Sequence, residues 1–105
     1  MTGEVERFIR IQSVEIMHTL ARPTTKTWHS IRDGDRVRLQ DYLVLAGPRE
    51  EADMAEKRHI FRIKHISGIQ KGFRVTYFGN HFTVLEISDP GGLTGLELTC
   101  VAERD

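Results

Sequence analysis

Five histidines (His18, His29, His59, His65, His81) and one cysteine, Cys100, are the side chains best suited to metal or nucleophile chemistry. No two histidines have the spacing that puts two ligands on one helical face. His59 and His65 would share one face of a strand, yet they lie about 20 Å apart at the strand rise, too far for one ion. Cys100 falls on the Leu98 side of an alternating segment, with no basic neighbour in sequence to lower its pKa, so it reads as a small buried hydrophobe. Asp33-Gly34-Asp35 is too short for a calcium loop and reads as a turn. Gly91, Gly92 and Gly95 follow a proline turn and precede a strand, whereas phosphate loops open a helix. The expectation is a protein without catalytic residues, metal, cofactor or small-molecule substrate, and hence not an enzyme.

The elements that carry these residues are mostly extended. Arg7–Gln12 alternates, with Ile9 and Ile11 on one face and Arg10 and Gln12 on the other. His18–Lys26 has no periodicity and reads as a loop around Pro23; Thr27–Ile31 is a second strand, and Val37–Gln40 begins a third. Tyr42–Ala46 is an apolar run ending at Gly47-Pro48. Arg49–Arg58 has strong helix propensity, with early acids and late bases matching the helix dipole. Its apolar side is only Ala52, Met54 and Ala55, so the 42–57 segment is expected to reorder on assembly. His59–Ile66, Phe73–Phe78, His81–Ser88 and Leu96–Glu103 form a meander, with Phe61 and Ile63 inward and Arg62 and Lys64 outward. Gly79-Asn80 is a two-residue hairpin signal, and Asp89-Pro90-Gly91-Gly92 is a turn.

A chain of 105 residues supplies one core, so residues 1–105 form a single domain. The 39% hydrophobic fraction is too high for a disordered chain, and six strands with one short helix close most economically as a small antiparallel β-barrel. No apolar run is long enough for a membrane-spanning helix. Met1–Glu6 is acidic and lacks the apolar stretch of a signal peptide, and a lone cysteine fits a reducing compartment.

Fifteen bases balance fifteen acids, but unevenly. Residues 1–56 carry −2, residues 57–74 carry +6 without an acid, and residues 75–105 carry −4. The basic run contains Arg58, Arg62, Lys64, Lys71 and Arg74; Glu86, Glu97 and Glu103 are the acidic counterparts. Such blocks are solvated edges, surfaces that pair subunits, or a face toward a polyanion. Trp28, Phe73, Tyr77 and Phe78 are core residues, or else bases stack on them in a nucleic-acid-binding barrel. Tyr77 and Phe78 would point to opposite faces of one strand, as would Phe82/Val84 and Leu85/Ile87 on the next. Apolar side chains on both faces imply full burial or a second chain, so self-association is expected.

The order of Phe8-Ile9-Arg10-Ile11-Gln12, Trp28, the short helical insert, His59–Lys64, Gly68-Ile69, Arg74-Val75-Thr76-Tyr77-Phe78-Gly79, Phe82–Ile87 and Leu96-Glu97-Leu98-Thr99-Cys100 resembles the head–tail joining proteins of tailed bacteriophages. The departure is concentrated in residues 29–57, where that family has a Trp-Ala-containing second strand and a longer polar insert. The resemblance implies a small β-barrel with a helix, assembled as a ring, with a dodecamer implied by the resemblance alone. The ring would sit under a portal or adaptor protein, close the DNA-filled head, and offer a surface to a tail or tail-terminator protein. Location would be the virion neck, after assembly in the host cytoplasm. The alternatives are a nucleic-acid-binding β-barrel and a tail-terminator or other neck protein of similar fold. In a ring, the basic residues would meet the acidic ones of the next subunit or face the packaged DNA.

Overall fold

In a computed structural model, residues 6–20, 22–46, 57–89 and 95–103 are described. They form seven antiparallel strands: β1 (Phe8–Thr19), β2 (Arg22–Ser30), β3 (Val37–Leu45), β4 (Arg58–Ile63), β5 (Arg74–Tyr77), β6 (Asn80–Ser88) and β7 (Leu96–Ala102). The pairings run β1–β3–β4–β7–β6–β5 and return from β5 to β1, so six strands close a barrel-like ring. Closure leaves these six without a continuous free edge. β2 is outside the circuit and pairs with β1 alone, from Gln12↔Ser30 to Thr19↔Arg22.

Among the described residues, all thirteen buried apolar side chains come from the six closed strands: Ile9, Ile11, Val37, Leu39, Phe61, Ile63, Val75, Tyr77, Phe82, Val84, Leu96, Leu98 and Cys100. Alternation puts them inside, as β7 illustrates with Leu96, Leu98 and Cys100 buried between less buried neighbours. Two bulges reset the alternation. The register slips between Leu39 and Asp41 in β3 and between Val84 and Glu86 in β6. Beyond the second slip Ile87 faces Leu98 and packs on the same core as Phe82 and Val84. The apparent two-faced apolar pattern of β6 is therefore largely one inward face shifted by an extra residue, and it does not by itself require a second chain.

Several boundaries differ from the sequence expectation. His18–Lys26 is not a loop: β1 runs through Thr19 and β2 starts at Arg22. The two apolar pieces after Val37 are one bulged strand. β4 stops at Ile63, and Phe73 precedes β5. Arg58 belongs to β4, and the described residues contain no helix; residues 49–56, the rest of the expected helix, lie outside the described residues, as does most of the Asp89–Gly92 turn. The β5–β6 turn is Phe78-Gly79, one residue earlier than expected, because Tyr77 pairs with Asn80. Both turn residues have positive φ, 49° and 77°, the geometry of a type I′ turn that suits the strand twist.

Gly34 fastens the β2–β3 connection to β1. Its carbonyl accepts from the Ile11 amide at 2.8 Å, and its own amide donates to the Ile31 carbonyl at 2.9 Å. A Cβ there would sit 2.7 Å from the Ile11 carbonyl oxygen, so only glycine fits this approach.

Candidate assembly surfaces

The outward side chains of the ring carry the charges. On β4, Arg62 lies opposite Glu97 of β7, and its Nε donates to Oε2 at 3.2 Å while Nη2 makes a second bond to the same oxygen. That carboxylate raises the Arg62 pKa further. On β5, Arg74 makes a two-pronged pair with Glu103, at 2.9 Å to Oε2 and 2.8 Å to Oε1. The Arg74 guanidinium also covers the Trp28 ring at 3.8 Å from its centroid. Arg74 and Glu103 are only 18% and 23% exposed, so this cluster is better shielded from solvent than Arg62–Glu97.

The basic run is thus divided. Arg62 projects from β4, Lys64 is exposed just past its end, Lys71 is exposed further along the β4–β5 connection, and Arg74 lies on β5, separated from β4 by β7 and β6. Arg58 is half-buried opposite Leu45. Of the acids, Glu97 and Glu103 pair within the chain, and Glu86 is exposed beyond the β6 bulge. Sequence separations of 35 and 29 residues conceal these pairings from a linear reading. A further arginine group was also hidden: Arg10 and Arg38 flank Phe8 on the outer surface, with Arg36 stacked 4.0 Å over its ring and Glu6 3.6 Å from Arg38. The alternation of Phe8, Arg10 and Gln12 with buried Ile9 and Ile11 was its only sequence signal.

Past Gln12, β1 leaves the ring and continues with β2 as a two-stranded arm. Seven further residues reach about 23 Å at the strand rise. The long axis is 58 Å and the radius of gyration 15.3 Å, against about 13 Å for a compact chain of this length. The arm's side chains include exposed Ile16, Met17 and Leu20 and a Glu15–His29 pair at 3.1 Å. An open groove of about 390 Å³ lies between arm and ring, walled by Val14, Ile16, Lys26 and Trp28 on one side and Gly72, Thr83, Ala102 and Glu103 on the other.

The opposite end is aromatic. Tyr42 stacks on Phe61 at 5.0 Å and contacts Tyr77 at 5.1 Å; His59 lies 4.6 Å from Phe82; Phe78 leans on Tyr77 at 4.5 Å. Tyr42 Oη is 2.7 Å from His59 Nδ1. Burial raises the phenol pKa, and burial together with Lys57 lowers that of the imidazole. Both shifts favour the uncharged forms, so phenol and imidazole share one hydrogen bond as a neutral pair, its donor set by the imidazole tautomer. Leu43, Val44, Leu45 and Phe78 stay exposed around this end. Burial pushes the Cys100 thiol up to about 12, which keeps it protonated. No group of three metal-ligand side chains occurs among the described residues. Trp28, Phe73, Tyr77 and Phe78 form no common platform: Tyr77 is in the core, Phe73 packs on it, Arg74 covers Trp28, and only Phe78 is exposed.

No family model and no curated protein matches the chain. Among solved structures, the fold is similar to that of the phage-like element PBSX protein xkdH from Bacillus subtilis. The TM-score is 0.57 at 10% identity, with 94% of this chain and 95% of that one covered. At that identity the likeness is one of fold.

Proposed function

We propose that the protein is a non-catalytic structural component of a phage virion, acting at the head–tail connector. In this reading copies form a ring under the portal or adaptor, close the DNA-filled head and offer the tail its attachment surface. The observation that carries it is the fold shared over nearly the full length of both chains with a protein of a phage-like element. The projecting arm and the exposed apolar residues at both ends support it, since exposed apolar clusters mark contact surfaces.

The test combines the full chain with the portal or adaptor ring of its own phage and images the product by electron microscopy. A connector subunit adds a ring of density to the portal and binds free DNA weakly. Absence of that ring, together with DNA binding by the free subunit that falls steeply with salt, would replace this reading with a nucleic-acid-binding barrel.

A further inference from the structure

Asp33-Gly34 is the chain's one Asp-Gly pair, and the chain has no Asn-Gly. In such a pair the glycine amide nitrogen can attack the side-chain carbonyl carbon of the residue before it, because glycine brings no side chain to hinder the approach. The fold places this pair where the β2–β3 connection is fastened to β1. Asp33 is exposed, with φ at 63°, third in a turn that the Gly34 amide closes on the Ile31 carbonyl at 2.9 Å. Positive φ at that turn position is ordinarily left to Gly or Asn, so Asp33 carries some backbone strain. Gly34 is buried, and its carbonyl accepts from the amide of Ile11, a fully buried core residue. The close approach to Ile11 that demands glycine thus also puts the least hindered amide directly after an exposed aspartate.

We propose that Asp33 is a site of spontaneous isomerisation to isoaspartate, held in check by the hydrogen bond of the Gly34 amide, and that conversion unfastens the β2–β3 connection from β1. In the first step a bond forms from Gly34 N to Asp33 Cγ. One carboxylate oxygen leaves as water, taking the amide proton and one proton from solvent, and a five-membered imide remains. In the second step water adds to the imide carbonyl that was the Asp33 main-chain carbonyl, and the bond from that carbon to Gly34 N breaks. One water leaves and one enters, so no other reactant is needed. The attacking nitrogen must first give up its proton, and in the folded chain that proton is held on the Ile31 carbonyl inside a buried turn. Attack therefore waits for the turn to open, as hydrogen exchange does at a protected amide. In the product the main chain runs through Cβ and Cγ of residue 33, one atom longer than before. The turn has no slack for it, because Gly34 is gripped at both its amide and its carbonyl and a Cβ on it would already sit 2.7 Å from the Ile11 carbonyl oxygen.

The test uses the full chain carrying Asp33→Asn, which reacts by the same attack with ammonia as the leaving group and so is read by mass. Asn suits positive φ, so the variant keeps the turn, which circular dichroism and the thermal midpoint check. A synthetic peptide of residues 30–36 with the same change is the unstructured reference. Deamidation in the folded chain should be at least about tenfold slower than in the peptide, the ratio set by an opening free energy above about 1.4 kcal/mol. Urea below the unfolding transition should bring it toward the peptide rate. A folded chain that reacts as fast as the peptide, or a peptide that does not react, would overturn the proposal. The wild type aged in urea and then refolded tests the consequence. Its isoaspartate-33 fraction, of unchanged mass but shifted retention on peptide mapping, should melt below the unconverted fraction of the same sample or fail to refold. An equal thermal midpoint in the two fractions would show that the connection does not depend on the Gly34 tie, and would equally overturn it.

Discussion

Replacing Arg74 by Ala removes three interactions that share one guanidinium, and the expected loss can be assembled from them. Charge-assisted hydrogen bonds of the Arg74–Glu103 type contribute about 1.5–3 kcal/mol each way of counting, and a partly shielded cation–π contact adds about 0.5–2 kcal/mol. Both ionic partners retain some solvent contact, 18% and 23%, and Glu103 recovers water when the arginine is gone. The net expectation is a loss of about 2–3 kcal/mol, a large share of the stability of a small domain. Arg74→Lys keeps the charge but not the planar fork, so about half of that loss remains. Urea unfolding followed by fluorescence reads both quantities, because Trp28 is the chain's one tryptophan and lies directly under the guanidinium. Its emission should change in the folded Arg74→Ala variant. A double-mutant cycle with Glu103→Gln isolates the ionic part. Stability within about 0.5 kcal/mol of wild type, with unchanged Trp28 emission, would refute the picture of Arg74 as the fastening between arm and ring.

Three other outcomes follow from local geometry. His59 titrates below its ordinary value of 6.5 in the folded chain, so the unfolded chain binds its proton first; stability should fall as pH drops below about 6.5 and level off beneath the lowered pKa, and His59→Gln should flatten that slope in urea midpoints measured across the range. Gly34→Ala forces a methyl group against the Ile11 carbonyl and the Ile31 side chain and should cost about 1–3 kcal/mol, read as a lower thermal midpoint; an unchanged midpoint would mean the connection yields freely. Phe78→Asn replaces a left-handed aromatic in a type I′ turn by a residue that tolerates this conformation, so it should raise stability by about 1 kcal/mol despite the lost Tyr77 contact. A destabilised variant would show that the ring contact outweighs the backbone strain.

Strands with a strict two-residue alternation were readable directly. β4 and β7 announce themselves because Phe61 and Ile63, and Leu96, Leu98 and Cys100, occupy every second position, and a half-buried sheet imposes that period. The mainly β, antiparallel, closing character follows from several such segments with turns between them. The burial of Cys100 was similarly visible, since alternation puts it on the same face as Leu96 and Leu98. Placement of Arg62 and Lys64 outside followed from Phe61 and Ile63 inside.

What depends on pairing between distant residues was not readable. The arm is invisible in sequence because β2, Arg-Pro-Thr-Thr-Lys-Thr-Trp-His-Ser, contributes no residue to the core and so has no hydrophobic period to display. The bulges in β3 and β6 shift which face a side chain takes, and one extra residue leaves no local signature, so Leu85 and Ile87 looked like a second apolar face. The charge blocks could be counted but not oriented: register across the ring decides that Arg62 meets Glu97 and Arg74 meets Glu103 and Trp28. Composition and alternation specify how each segment is divided between core and solvent, because burial acts residue by residue. Which edges remain open, and which charges are already paired, is a property of the closed sheet, and it appears only when strands far apart in sequence have taken their places.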